Sequence, residues 1–278
     1  MLKYDLVKNH IIVIKIGTTS ITKGCDKGVN LDVITQLANT AAKLKEKNFQ
    51  VVIVSSGAMG LGVAKLGREK LEEQLNQDPC ESSSMTIYKQ ALTSIGQIEL
   101  MNAYQAAHEK LGLHVGQVLV THAGLDDTNR NETIHSTIEK MFDLNLIPVI
   151  NANDTVTSSE ITYGDNDSLS ARISVLLGAE KLFILSDVDG LYDKDPNKFS
   201  DAKLINEIKD IDGYVKSIAG ESASGSGLGG MKSKIDAVEL CMNKGIESYI
   251  LKNTQIAEIP SLAFGASKDN IGTRFLSY

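Results

Sequence analysis

Apolar residues recur along this chain in short unbroken runs that end in glycine, hydroxyl or acidic residues, and these runs alternate with longer stretches of helical spacing. His10 to Ile16 predicts a strand, apolar except for Lys15, that leads into Gly17-Thr18-Thr19-Ser20. Leu31 to Leu44 carries its apolar residues at helical spacing, and the charged run Lys43 to Lys47 reads as a solvated helix end. Phe49 to Val54 predicts a second strand, closing on Ser55-Ser56-Gly57-Ala58 and a small-residue segment, Met59 to Ala64. Gly67 to Ser84 is polar, contains Pro79 and shows no clear period, so a loop or irregular helix is expected. Met85 to Gly112 and Thr128 to Asn145 have helical spacing, while His114 to Thr121 and Leu146 to Ile150 read as strands. Beyond them the pattern gives a helix over Ser168 to Leu177, a strand over Glu180 to Leu185 and helices over Asp210 to Ala219 and Met231 to Asn243. A late strand follows over Ile246 to Leu251, with a further one at Gly272 to Leu276. Regular alternation of this kind predicts an α/β fold whose mainly parallel sheet is covered on both faces.

One stretch, Ile147 to Arg172, is denser in polar chemistry than its neighbours. Asn151, Asn153 and Asp154 fall where a strand ends, and Gly164-Asp165-Asn166-Asp167 opens the next helix. Ligands of open α/β sheets sit at the carboxyl ends of strands. Asp165 or Asn166 would serve as an ordinary N-cap, but a cap and a turn account for only one or two of these groups.

Composition narrows the class. With 278 residues, 42% hydrophobic and 23% charged, the chain has material for one large globular domain, and no run approaches the roughly 20 apolar residues of a membrane span. Neither a signal peptide nor a membrane association is expected. Three isolated cysteines, Cys25, Cys80 and Cys241, suit a reducing cytoplasm. A net charge of −7 without a basic stripe argues against nucleic acid as a partner. The five histidines are scattered and read as structural or surface residues.

Lys15 is the anomaly among the strands. A lysine near the end of a buried strand is costly unless it meets an anion, and the glycine after it lets backbone N–H groups approach one. Its plainer role is a strand-end lysine reaching solvent. The glycine-rich loop from Gly220 to Gly230 opens a helix carrying Lys232 and Lys234 in its first turn, where a cation opposes the helix dipole unless an anion is bound. Gly225, Gly227 and Gly230 satisfy the dinucleotide spacing, but no strand precedes them, and no Gly-Lys-Ser/Thr phosphate loop occurs in the chain. Lys15 and Lys234 at one sheet edge, with Asp167 between them, would suit phosphoryl transfer, in which the protein supplies positioning and positive charge. A carboxylate acceptor needs no general base because it is already ionised at neutral pH. A hydroxyl or phosphate acceptor remains open.

Taken together, Val13-Ile14-Lys15-Ile16-Gly17-Thr18, Val52 to Ala58, His114 to Gln117, Ile147 to Asn151 with Asn153-Asp154, Gly164 to Asp167 and Gly229 to Lys234 resemble the amino-acid kinase family, and within it the glutamate 5-kinases. That resemblance implies an αβα sandwich with a central mainly parallel sheet, a single kinase domain over residues 1–278, and transfer of phosphate from ATP, with Mg2+, to the side-chain carboxylate of L-glutamate. It implies that Lys15 and Lys234 contact the phosphates, that Asp167 orients both lysines, and that Ser56, Asp154, Asp165 and Asn166 hold glutamate. Ser186, Asp187, Leu228, Gly229, Gly230, Met231, Lys232, Ser233 and Lys234 would line the nucleotide site, with metal ligands unassigned. Inhibition by proline and a homo-oligomer are further expectations. Two positions depart from the family pattern: Thr162 stands where many members have lysine, and Leu228 where a polar residue is common. The chain also ends without the RNA-binding-like domain that many bacterial members carry. Aspartate or N-acetylglutamate is the alternative acceptor, and a sensor without turnover is the alternative class.

Overall fold

The computed structural model describes residues 10–24, 28–67, 82–157, 166–196, 198–221, 230–266 and 271–276. Five parallel strands form its centre: β1 (Ile11–Ile16), β2 (Gln50–Ser55), β4 (Leu146–Ala152), β5 (Lys181–Ser186) and β7 (Glu247–Lys252). β3 (His114–Val120) extends one side in parallel, while β8 (Thr273–Phe275) pairs antiparallel to β7 and carries the two-residue β6 (Glu207–Ile208) at the far edge. The resulting order is β3-β4-β2-β1-β5-β7-β8-β6.

Strand β1 is buried along its whole length because helices cover both faces of the sheet. Ile11 and Val13 join one core with Ile138 and Phe142 of α6 (Thr128–Asp143), Leu169 and Ile173 of α7 (Asn166–Leu177), and Ile235 and Val238 of α9 (Met231–Met242). Ile12, Ile14 and Ile16 point the other way, into a core shared with Ile34 and Leu37 of α2 (Leu31–Lys45), Leu100 and Tyr104 of α4 (Ser82–Glu109), and Ile259 and Leu262 of α10 (Ile259–Ala263). Alternation of side chains across a strand delivers one residue to each core in turn, and the result is an αβα sandwich.

The periodicity placed the main elements within a few residues of their observed ends. It missed α1 (Thr18–Ile21), four residues long, α5 (His122–Asp126) and α10, each five residues long, and the edge strand β6, because elements so short carry too few positions to show a period. The last predicted helix before the glycine-rich loop begins later than expected, at Gly213 in α8 (Gly213–Glu221), where Asp212 accepts a hydrogen bond from the Val215 N–H and caps it. No described helix is long and apolar enough to cross a membrane.

Topology decides where a ligand can sit. From β1 the chain moves to one side for β2, β3 and β4, then crosses back over β1 through α7 to build β5 and β7 on the other side. The carboxyl ends of β1, β2, β4, β5 and β7 therefore share one edge, and α7 spans the two halves, packing on β1, β2, β4 and β5. Such a reversal of strand order opens a crevice at the carboxyl edge.

Candidate active site

At the middle of that edge, Lys15 leaves β1 and meets the first turn of α7. Its ammonium pairs with Asp167 Oδ1, and Lys234, from the first turn of α9, pairs with Asp167 Oδ2 at 3.0 Å. The carboxylate is fully buried, and only 5% and 8% of the two lysine side chains are exposed. Lys15 is thus not a strand-end lysine reaching solvent. Burial by itself pushes the Asp167 carboxyl up, but the two ammonium groups outweigh it and hold the group at about 2. Ser233 Oγ lies 3.0 Å from Asp167 Oδ2 and 2.9 Å from the Gly230 carbonyl, which ties the start of α9 to the same carboxylate. Among the described residues, two cations face this one anion, which leaves a net positive charge in a low-dielectric setting. Such a site attracts a polyanion.

On the β2 and β4 side, Asn166 does not take the plainer of its two roles, that of a helix N-cap. It is already the first residue of α7, 8% exposed, and its Nδ2 faces the Ser55 carbonyl at 3.2 Å, Ser56 Oγ at 2.7 Å and Asn151 Oδ1 at 3.1 Å. Its own Oδ1 is buried and has no hydrogen-bond partner among the described residues, leaving an acceptor for a ligand donor. Asp154 opens a short 3-10 turn, Asp154–Val156, just past β4. No cation pairs with it among the described residues, and burial raises its carboxyl to about 6. Asn153 has the plain turn role, since its Oδ1 accepts from Thr155 Oγ1 at 2.6 Å and its carbonyl from Thr157 Oγ1 at 2.9 Å.

Ser56 reaches this pocket because Gly57 takes a left-handed conformation, φ 107°, at the entry to α3 (Ala58–Leu66). A Cβ there would also lie 2.9 Å from Ile21 Cγ2, so glycine is required twice over. On the opposite side, Ser186 is buried at the end of β5 and its Oγ donates to Asp187 Oδ1 at 3.2 Å. Beyond them Lys252 pairs with Asp189 at 3.3 Å, and Asp189 also accepts from the Tyr192 hydroxyl at 3.1 Å. Of the expected nucleotide residues on α9, Met231 turns its side chain into the core and Lys232 points to solvent, so Lys234 is the cation that faces inward. Asp165, Leu228, Gly229 and Thr162 lie outside the described residues.

A profile of the amino acid kinase family matches residues 10–252. The chain belongs to the amino acid kinase family. Curated relatives include the glutamate 5-kinase of Haemophilus influenzae strain PittGG, 36% identical over 267 residues that make up 96% of this chain and 68% of that protein. The glutamate 5-kinase of Pelagibacter ubique is 39% identical over 245 residues, 88% of this chain and 63% of its own length. Among solved structures, an isopentenyl phosphate kinase superposes with a TM-score of 0.62 at 20% identity, covering 96% of this chain and all of its own. Carbamate kinase from Giardia lamblia, bound to AMP-PNP, gives 0.64 at 14% identity over 98% of this chain and 99% of its own. At those identities the superpositions establish the amino-acid kinase fold and nothing finer.

Sequence reasoning overlooked a chain of amides that runs from buried Asn151 and Gln97 out to exposed Gln117. Gln97 on α4 accepts from Asn151 Nδ2 at 2.9 Å and donates to Gln117 Oε1 on β3 at 3.0 Å. The signal available was a seven-residue spacing of Gln90, Gln97 and Tyr104 inside a stretch read only as helix.

Proposed function

We propose that this family member transfers the γ-phosphoryl group of ATP to the side-chain carboxylate of L-glutamate, giving L-glutamyl 5-phosphate and ADP, the first step towards proline. The Lys15–Asp167–Lys234 cluster carries this reading, because it places two buried cations at the junction of the two half-sites. Glutamate lies on the β2 and β4 side, held by Ser56, Asn166 and Asp154, and Asp165 is given the same role by the family resemblance alone. Asn166 Oδ1 and Asp154, neither of which has a partner among the described residues, are acceptors suited to an ammonium group. ATP lies on the β5 side, along Ser186, Asp187 and the loop and first turn from Leu228 to Lys234. A carboxylate oxygen attacks the γ-phosphorus, the bond to the β–γ bridging oxygen breaks, and ADP leaves with that electron pair. No proton has to be removed. Lys15 and Lys234 offset charge on the transferring oxygens, and Asp167 fixes both lysines so that little reorganisation is needed.

Both oxygens of Asp167 are engaged by lysines, and the described residues hold no cluster of three acidic or imidazole groups. This donor set fits Mg2+ carried on the nucleotide's phosphates, where it would add charge neutralisation. A single kinase domain over residues 1–278, a cytoplasmic location, inhibition by proline and self-association belong to the same reading. Ile87 and Ile98, 62% and 63% exposed on the side of α4 turned away from the core, support self-association.

The deciding experiment is ATP-dependent acyl phosphate formation, trapped with hydroxylamine, on glutamate, aspartate and N-acetylglutamate, with Lys15→Ala as control. Turnover on glutamate alone, lost in the control, is the expected result. Turnover on another acid would reassign the acceptor, and binding of ATP or glutamate with no turnover would indicate a sensor.

A further inference from the structure

The helix α4 makes three polar contacts from one side, seven residues apart. Gln90 Nε2 donates to the Thr157 carbonyl at 2.7 Å, at the end of the turn that carries Asp154. Gln97, 8% exposed, joins Asn151 to Gln117 through its two amide atoms. Tyr104, fully buried, donates to Ser55 Oγ at 2.9 Å, one residue before Ser56. Seven residues fall about 20° short of two helical turns, so all three side chains project along one stripe, roughly 10 Å apart. Each contact ends on a different segment of the pocket: the Asp154 turn, the Asn151–Asn166 pair at the end of β4, and the Ser55-Ser56 end of β2. Between them, Gly96 and Gly62 bring α4 and α3 into backbone contact, which fixes the helix against the element that follows Ser56.

We propose that α4 sets the geometry of the acid-binding half-site, with Gln90, Gln97 and Tyr104 acting as positioning residues through the loops they hold. The nucleotide half is built on β5, β7 and α9, and none of the hydrogen bonds these three side chains make among the described residues ends there. The inference rests on the proposed reaction, and its signature is a KM effect confined to one substrate.

The test is steady-state kinetics on Gln90→Met, Gln97→Met and Gln97→Glu alongside wild type. Loss of one hydrogen bond that positions a loop is expected to raise KM for glutamate ~10-fold in each Met variant, with KM for ATP unchanged and kcat within about threefold. Gln97→Glu retains an acceptor for Asn151, and Gln117 can turn its amide to donate, so most of the affinity should return. A glutamate KM equal to wild type in the Met variants, or a parallel rise in KM for ATP, would overturn the proposal. If Gln97→Met does not fold, the partly exposed Gln90→Met decides alone. Wild type without turnover on glutamate defeats the proposed reaction and this inference with it, whereas wild-type turnover with unshifted variants defeats the role of α4 only.

Discussion

Replacing Asp167 by asparagine keeps the shape of the side chain and removes the negative charge that pairs with both Lys15 and Lys234. At 3.0 Å and an effective dielectric of about 20, attraction between Lys234 and the carboxylate is roughly 5 kcal/mol before desolvation is counted. Removing one partner of a buried pair leaves the others uncompensated, at about 3–5 kcal/mol. For a domain of this size that is a fall in Tm of roughly 10 °C. The titration of the carboxylate points the same way. Lowered from 3.8 to about 2, it contributes on the order of 2 kcal/mol, present above pH 3.8 and lost as pH falls through 2. The variant should therefore lose much of the acid limb of the stability curve. Pyrophosphate or ADP should stabilise the variant more than wild type, by supplying the missing negative charge. Calorimetric scans at several pH values, with and without pyrophosphate, read all of this. A variant that melts within about 2 °C of wild type at pH 7, with no added response to pyrophosphate, would refute the claim that one carboxylate holds two buried lysines.

Two further outcomes follow from the geometry of the acid half-site. A Cβ at Gly96 would lie 1.7 Å from the Ala58 carbonyl oxygen, so Gly96→Ala must push α3 away from α4. Overpacking of this kind costs about 1–3 kcal/mol or more, and because α3 follows Ser56 the displacement should also raise KM for glutamate; denaturant titration and kinetics check both. Asp154, raised to about 6 by burial, has its charged form disfavoured in the free protein, so stability falls slightly as pH rises through 6 while affinity for an ammonium-bearing acid grows. KM for glutamate should climb as pH drops below 6, and Asp154→Asn should weaken binding and remove that pH dependence; an unchanged profile in the variant would exclude Asp154 as the titrating group.

The order of elements was legible because burial leaves a period in the sequence. The run from Ile11 to Ile16 reads as a strand since both faces of the sheet are covered, and α2 or α9 since each presents one apolar face to a core. Lys15 and Lys234 were legible for the complementary reason: a cation in a buried strand or at a helix N-terminus is unfavourable without a partner. Asp167 could be named from its place among Gly164, Asp165 and Asn166, and the family resemblance supplied the roles.

What the sequence could not supply is how residues far apart in the chain meet. Asn166 has the pattern of a helix cap, and only the crossing of α7 over β1 shows that its amide bonds across to β2 and β4 instead. Gln97 is an unremarked polar residue in a long helix until packing buries it between Asn151 and Gln117. Local sequence carries the propensity of a segment and the side of it that must avoid water. The pairing of buried polar groups depends on which segments the sheet order brings together. That order is settled by closure of both cores at once, so the direction of each strand's apolar residues was readable in the sequence while the partners of its polar residues were decided only by the tertiary structure.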